Sequence, residues 1–419
     1  MRRYPAYKPS GIEWVGEIPD QWSAKPLFTL FRERQVVNED NREANVLSLS
    51  YGRIIRRDIE SNFGLLPESF ETYNIVEPLN IVLRLTDLQN DKRSLRCGLV
   101  KEKGIITSAY LTLENVKDVD CKYMYYLFHN YDIRKVFYSM GGGVRQAIKF
   151  NDLKRLPIVL PLLEEQRTIS SYLERKITQI DCLVLKKKRL IELLKEERAA
   201  IINGVVTKGL DQNVKFKDSG IEWIGKIPVN WEIKKLKYYF SFEKGKNAQV
   251  YTNEYVGANP GDYPVYSGQT EEEGIMGRVN IFDYDTSNVL FATTVGAKAM
   301  TIRMISGRYC LSQNCALLIP RSKNINVRFY KYFIDRLFDY EKGMISLIMQ
   351  PSLRFEDLIR YQILIPPLNE QDKIADYLER KTACIDKQIN KEASLIEYIK
   401  EYRTSLISEV VTGKVCVCE

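Results

Sequence analysis

At 419 residues, with 45% hydrophobic and 28% charged side chains, the chain is too long for one ordinary core and has the composition of a globular protein of two or more domains. A net charge of +8 is compatible with a nucleic-acid partner without requiring one. No 18-residue apolar run suits a membrane span and no leader is legible at the N-terminus, so a cytoplasmic location is expected. Eight cysteines without a CxxC pair, alongside the single histidine His129, point to reduced thiols and no metal site.

Read from the N-terminus, the chain is written twice. SGIEWVGEIPDQW at 10–22 returns as SGIEWIGKIPVNW at 219–231, and DLKRLPIVLPLLEEQRTISSYLERKITQID at 152–181 returns as DLIRYQILIPPLNEQDKIADYLERKTACID at 357–386. The two offsets, 209 and 205, differ because the segments between the repeated frames differ in length, and those segments share little identity. Neutral drift after duplication would not spare surface-type residues such as Glu165 and Gln166 while erasing whole cores. Two divergent domains on one repeated scaffold fit better.

This gives an N-terminal frame segment at 1–27, a first variable domain at 28–150, and a central frame region with a long helix at 151–209. The frame segment returns at 210–236, followed by a second variable domain at 237–355 and a C-terminal frame region with a long helix at 356–419. The first variable domain shows short apolar runs such as Val46 to Leu49 and Ile105 to Leu113, broken by turn residues, so strands are expected. It closes on an aromatic helix at 122–137, where His129 reads as a packed structural residue. From about 164 to 206 the chain lacks proline, and Ile169, Leu173, Ile180 and Leu194 belong to a seam stepping by three and four, interrupted at Lys187 and Arg198. The second variable domain repeats the strand pattern at Val289 to Thr293 and Cys315 to Ile319 and closes on the aromatic helix 328–340. The second long helix carries the matching seam at Ile374, Leu378, Ile385 and Ile399, interrupted at Thr382, Glu392 and Arg403. The fold class is α+β, with two pseudo-symmetric domains and two long helices in an antiparallel coiled coil. About forty helical residues span roughly 60 Å, enough for a rigid spacer. The VCVC tail at 415–418 reads as a frayed end.

Signatures of catalysis on DNA are missing. The string nearest to an amino-methylation motif, NPGD at 259–262, lacks the second proline and the aromatic, and GGGVRQ at 141–146 is a glycine cluster without the strand and helix that phosphate binding needs. Any chemistry would have to come from partners.

The openings SGIEWxGxIPxxW, with the passages VLPLLEEQRTISSYLERK from Val159 and LIPPLNEQDKIADYLERK from Leu364, resemble the specificity subunits of type I restriction-modification systems over nearly the whole chain. The resemblance implies a non-catalytic, sequence-specific DNA-binding subunit, with two target-recognition domains that each read half of a bipartite site on double-stranded DNA. Two methyltransferase subunits, holding S-adenosylmethionine, would dock on the frame regions, and motor and nuclease subunits would join them. No cofactor is expected on this chain. The N-terminal residues would lie beside the C-terminal helix.

Base reading needs polar side chains on loops, with basic groups on phosphates. Two loop sets qualify in each domain. The first comprises Ser50, Tyr51 and Arg53 in one domain and Ser267 and Gln269 in the other. The second comprises Ser139, Arg145, Gln146 and Lys149, then Ser346, Gln350 and Arg354. The variable domains are only mildly basic, with 18 Lys plus Arg against 16 Asp plus Glu in 28–150 and 14 against 11 in 237–355. A duplicated coiled-coil adaptor for protein partners, and a DNA modifier with an unrecognised site, remain as alternatives. The seam makes its own prediction: Leu173→Asp or Leu378→Asp buries an unpaired charge at a cost of several kcal/mol, so thermal unfolding of either variant should start well below that of the wild type.

Overall fold

The computed structural model describes residues 2–57, 69–88, 95–140, 147–211, 213–268, 272–296, 298–345 and 351–417. Among these the helices are α1 (Cys121–Ile133), α2 (Phe150–Leu153), α3 (Leu163–Lys208), α4 (Asn253–Ala258), α5 (Val327–Met344), α6 (Phe355–Arg360) and α7 (Leu368–Val411). The chain divides into two compact units, Met1–Lys187 with Ser394–Glu419, and Lys188–Ala393. Each unit holds one variable domain and half of each long helix.

In the first unit an antiparallel sheet runs in the order Phe31–Glu33, Leu111–Asn115, Ile81–Leu83, Cys97–Leu99. Helix α1 covers it, burying Tyr123, Leu127, Phe128 and Tyr131. Asp120 caps α1, its carboxylate accepting from Tyr123 N at 2.7 Å. The hairpin Leu47–Ser50 with Arg53–Arg56 crosses the outer strand at Gly98, where a Cβ would fall 2.6 Å from Leu49 Cδ1. Tyr123 Oη donates to Val159 O at 3.1 Å and Val411 O at 3.2 Å, tying the domain to the frame strand Pro157–Leu160 and to the end of α7. His129 is buried, and desolvation together with the nearby Arg403 guanidinium lowers its pKa to about 4, which keeps it neutral.

The second unit repeats this plan with longer strands. Its sheet runs Phe240–Lys244, Cys315–Pro320, Tyr284–Thr293, Ile302–Leu311, Pro260–Tyr266, Ile275–Val279, and α5 covers it through the buried Phe329, Tyr330, Phe333 and Phe338. Here the outer hairpin is hydrogen-bonded into the sheet, with Pro260–Tyr266 running parallel to Ile302–Leu311, and Val256 of α4 packs on it.

Within each unit the opening half of one long helix lies against the closing half of the other, so the pairing is antiparallel. Ile169, Leu173 and Ile180 share a core with Leu406, Ile407 and Val410, while Ile202 and Val206 share one with Ile374 and Leu378. Of the remaining seam positions, Leu194 and Ile385 are buried and Ile399 is half-buried. Burying each such side chain contributes roughly 1.5–3 kcal/mol. Two of the charged interruptions are paired by the repeat itself. Arg198 Nε lies 3.0 Å from Asp386 Oδ1 in the second unit, and the equivalent Arg403 Nε lies 3.4 Å from Asp181 Oδ1 in the first. Thr382 turns its hydroxyl back to Leu378 O at 2.7 Å and meets Tyr332 Oη at 3.2 Å.

The glutamates and glutamines of the EQ passages do not behave as free surface residues. Gln166 and Gln371 are 2% and 0% exposed. Gln166 Nε2 donates to Pro161 O at 2.9 Å and its Oε1 accepts from Asp120 N at 3.0 Å, while Gln371 repeats both bonds with Pro366 O at 2.8 Å and Asn326 N at 2.9 Å. Asp120 and Asn326 cap α1 and α5, so one buried amide per unit locks the start of the long helix to the start of the domain helix. Glu165 accepts from Tyr4 Oη at 2.7 Å, and Glu370 from Trp231 Nε1 at 2.7 Å. These residues are retained in both copies because they are internal fasteners.

The frame tryptophans Trp22 and Trp231 are fully buried beside the helix ends. Gly413 and Gly209, both at φ +74°, terminate the long helices in the left-handed conformation that glycine tolerates. The expected frayed tail is instead paired: Cys416 N donates to Arg2 O at 2.9 Å and Val415 is buried. The N-terminal residues therefore do lie beside the end of α7. Gln371→Leu would leave the Asn326 amide and the Pro366 carbonyl buried without partners, so urea unfolding should report a loss of about 1–3 kcal/mol.

Candidate nucleic-acid interface

In the second unit four connections gather at one end of the sheet. They are the loop after Lys244, the exit from Thr293, the turn Ser312 to Asn314, and the segment Leu353 to Glu356 that opens α6. Backbone bonds knit them together: Leu353 N to Thr294 O at 2.7 Å, Thr294 N to Asn314 O at 2.8 Å, and Ser312 N to Tyr266 O at 2.8 Å. Gly245 permits the first loop to pass the strand end, since a Cβ there would stand 2.7 Å from Leu311 O. Between the loops lies a groove of about 890 Å³, with Gln249, Gln313, Asn314 and Arg354 on its walls. All four are exposed, and among the described residues their side chains have no hydrogen-bond or ion-pair partner. Lys246 and Asn247 also line it but are held by the domain, through Asp283 O at 3.3 Å and Asp283 Oδ1 at 2.7 Å.

The first unit delivers the same backbone frame with different side chains. Ile148 N bonds to Leu85 O at 2.9 Å, as Leu353 bonds to Thr294. Lys149 then occupies the N-cap of α2 as Arg354 occupies that of α6, and each main-chain amide donates to a carboxylate three residues on, Asp152 or Asp357, at 3.0 Å. Beside this edge the fully buried Arg96 donates to three carbonyls, Arg84 O at 3.1 Å, Thr86 O at 2.8 Å and Asp87 O at 3.2 Å, and to Tyr138 Oη at 3.1 Å. Arg96 shapes the loop end without reaching solvent.

The residues singled out from the sequence have unequal surroundings. Tyr51 and Gly52 both have positive φ, 46° and 75°, and form the two-residue turn of the hairpin, with Tyr51 86% exposed. A tyrosine in this conformation is strained by about 1–3 kcal/mol. Ser50 is half-buried and pairs with Arg53 across the hairpin end. Arg53 is bound to the scaffold, its Nη2 2.9 Å from Asp181 Oδ2, and Tyr125 Oη donates to Gly52 O at 3.0 Å. Ser267 is buried, with its amide donating to Gly274 O at 2.8 Å, while Gly268 adjoins Asn314 and Val295 and so joins its turn to the groove wall. Ser139 closes the 3-10 turn Val136–Ser139. Arg145, Gln146, Gln269, Ser346 and Gln350 fall outside the described residues. Sequence reasoning passed over Gln249, Gln313 and Asn314. The available signals were the polar loop KGKNAQ after an apolar strand and SQN between two apolar strands.

The repeated frame thus carries two loop ends of unlike chemistry, each marked by an exposed basic N-cap residue. Residues 99–194 and 228–395, together well over half of the chain, match the family model described as the type I restriction modification DNA specificity domain. The chain is 25% identical over 340 residues to the type I restriction enzyme MjaVIII specificity subunit of Methanocaldococcus jannaschii, covering 75% of each protein. It is 29% identical over 133 residues to the type I restriction enzyme MpnII specificity subunit of Mycoplasma pneumoniae, covering 32% of this chain and 39% of that one. Its fold matches a chain from a structure of the type I R-M system with a TM-score of 0.72 at 16% identity, over 95% of this chain and 99% of the other. It also matches the HsdS subunit from Thermoanaerobacter tengcongensis with a TM-score of 0.56 at 15% identity, over 95% and 98%. The chain belongs to the family of type I restriction-modification specificity subunits, and its function is DNA sequence specificity.

Because Arg96 holds the first loop end from inside, Arg96→Met should expose the loss in stability: three carbonyls lose a charged donor, each such bond contributing about 1.5–3 kcal/mol, and thermal unfolding should shift to markedly lower temperature.

Proposed function

We propose that each unit reads one half of a bipartite target on double-stranded DNA through its loop end, and that the chain performs no bond-making step itself. The observation that carries this reading is the groove in the second unit, where two glutamines, an asparagine and an arginine stand exposed and, among the described residues, without hydrogen-bond or ion-pair partners on four interlocked connections. Asparagine and glutamine can each offer a paired donor and acceptor to an adenine edge, and arginine can do the same to guanine or hold a phosphate. In the first unit the corresponding groups are Tyr51, Ser50 and Lys149, with Arg53 released from Asp181 when DNA competes for it.

Two methyltransferase subunits carrying S-adenosylmethionine dock on the frame and the long helices in this reading, motor and nuclease subunits join them, and the assembly works in the cytoplasm. The methyl group and the catalytic residues belong to those partners. The chain supplies position, holding two readers on helices that run unbroken from Leu163 to Lys208 and from Leu368 to Val411.

The experiment is to express the chain with methyltransferase subunits and map methylated bases across the host genome by single-molecule sequencing. A two-part motif with a fixed gap is the expected result; unmethylated DNA, with the chain bound to other proteins, would favour the adaptor instead. In the same assay Gln313→Ala combined with Asn314→Ala should relax one half of the motif and leave the other intact, since a bidentate contact discriminates between bases by about 1–3 kcal/mol.

A further inference from the structure

We infer that Arg155 and Arg360, which belong to the repeated frame and not to the variable loops, grip the sugar-phosphate backbone of the two half-sites. This rests on the DNA-reading function proposed above and adds a class of contact to it. The two arginines are equivalent, in Asp152-Leu153-Lys154-Arg155 and Asp357-Leu358-Ile359-Arg360. Both are exposed, and among the described residues neither has a hydrogen-bond or ion-pair partner.

Many of the other charges that the repeat retains are paired within the fold, although Glu13 with Glu222 and Lys186 with Lys391 are also retained, exposed and, among the described residues, without a hydrogen-bond or ion-pair partner. Asp152 and Asp357 accept the N-cap amides, and Asp181 and Asp386 pair with Arg403 and Arg198. Glu174 and Glu379 are paired with Lys122 and Arg328, at 2.7 and 3.0 Å. For these paired charges the fold itself explains the retention. It pairs neither Arg155 nor Arg360, and what sets these two apart from the other unpaired retained charges is where they stand.

Their placement gives the reason for their retention. Glu356 lines the groove of the second unit, and Arg360 follows four residues later on the same face of α6, about 6 Å along the helix axis. Arg155 stands two residues beyond the end of α2, which opens on the basic Lys149. The positions are rigid. Leu153 and Leu358 are fully buried just before them, and the backbone just after them is bonded to the frame, Leu27 N to Leu156 O at 2.9 Å and Leu236 N to Tyr361 O at 2.8 Å.

A phosphate contact carries no sequence information, so it can stay identical while the readers beside it diverge. Guanidinium is suited to it, with a fixed fork of donors matching two phosphate oxygens. The variable domains need such help, since their own charge balances are close to neutral. An acidic protein surface could also take two arginines, but Arg360 shares its helix with a wall of the DNA groove, which favours DNA.

The test measures binding of the full-length chain to a labelled duplex of mixed sequence across a salt series starting at low ionic strength. Wild type is compared with Arg155→Ala, Arg360→Ala, the double variant and the double Arg→Lys variant. Each lost phosphate contact should flatten the slope of log affinity against log salt by about 0.9, and the double alanine variant by about 1.8, with weaker binding to all sequences alike. The lysine variant should keep most of the slope, and thermal unfolding and the methylated motif should be unchanged throughout. An unaltered slope in the double alanine variant overturns the inference. So does a variant that binds duplex normally but no longer co-purifies with methyltransferase subunits, because the arginines would then be a protein contact. Altered half-site bases would make them readers, which also overturns it. A wild-type chain with no affinity for duplex even at low salt removes the proposed function itself, and the two failures are thereby distinguished.

Discussion

Neither repeat can close its own core. The first unit requires residues 394–419 from the far end of the chain, and the second requires the closing half of a helix that begins in the first repeat. Every other feature depends on this exchange. The seam residues supply the apolar burial, and the equivalent ion pairs of Arg198 with Asp386 and Arg403 with Asp181 show that the same contact is made twice, once in each unit. Contacts between residues so far apart in sequence carry a large loop-closure cost. Burial along the seam and the paired tail at Arg2 and Cys416 offset it.

On this scaffold the variable domains are attached at few but stiff points. A single buried amide, Gln166 or Gln371, links the turn before each long helix to the N-cap of each domain helix, and both of its polar ends are satisfied. A buried polar group with all its partners favours one geometry, because any other leaves it unpaired at considerable cost. The domain surface can therefore diverge while its orientation on the frame is preserved. The two sheets illustrate this freedom: the outer hairpin merely crosses the sheet in the first unit but is hydrogen-bonded into it in the second.

Chemistry at the loop ends follows the same division. The backbone arrangement at Ile148–Lys149 recurs at Leu353–Arg354, whereas the walls carry a strained tyrosine turn and a buried arginine in one unit and exposed amides in the other. Amide side chains suit adenine edges, and the basic residue at each helix start suits a guanine edge or a phosphate. Divergent readers with invariant supports are what a protein needs if its specificity is to change without loss of assembly.

Much of this was legible in the sequence, because repetition and three-four periodicity are local properties of the residue order. They were enough for two α+β domains, two long helices, a seam through Leu173 and Leu378, and the family to which the chain belongs. Lys149 and Arg354 were legible as loop residues leading into the matched frames, but their shared place at helix starts came from the structure. The tertiary structure alone decided which polar residues face inward. Gln166 and Glu165 look like surface residues, yet they are internal fasteners, and Arg53 and Ser267 look like loop residues, yet one is bound to Asp181 and the other is buried. It also brought Gln249, Gln313 and Arg354 to one groove, although more than a hundred residues separate the first from the last. Burial and partnership of a polar side chain depend on which distant backbone groups meet it, and a strand order with crossovers settles that only when the sheet has formed.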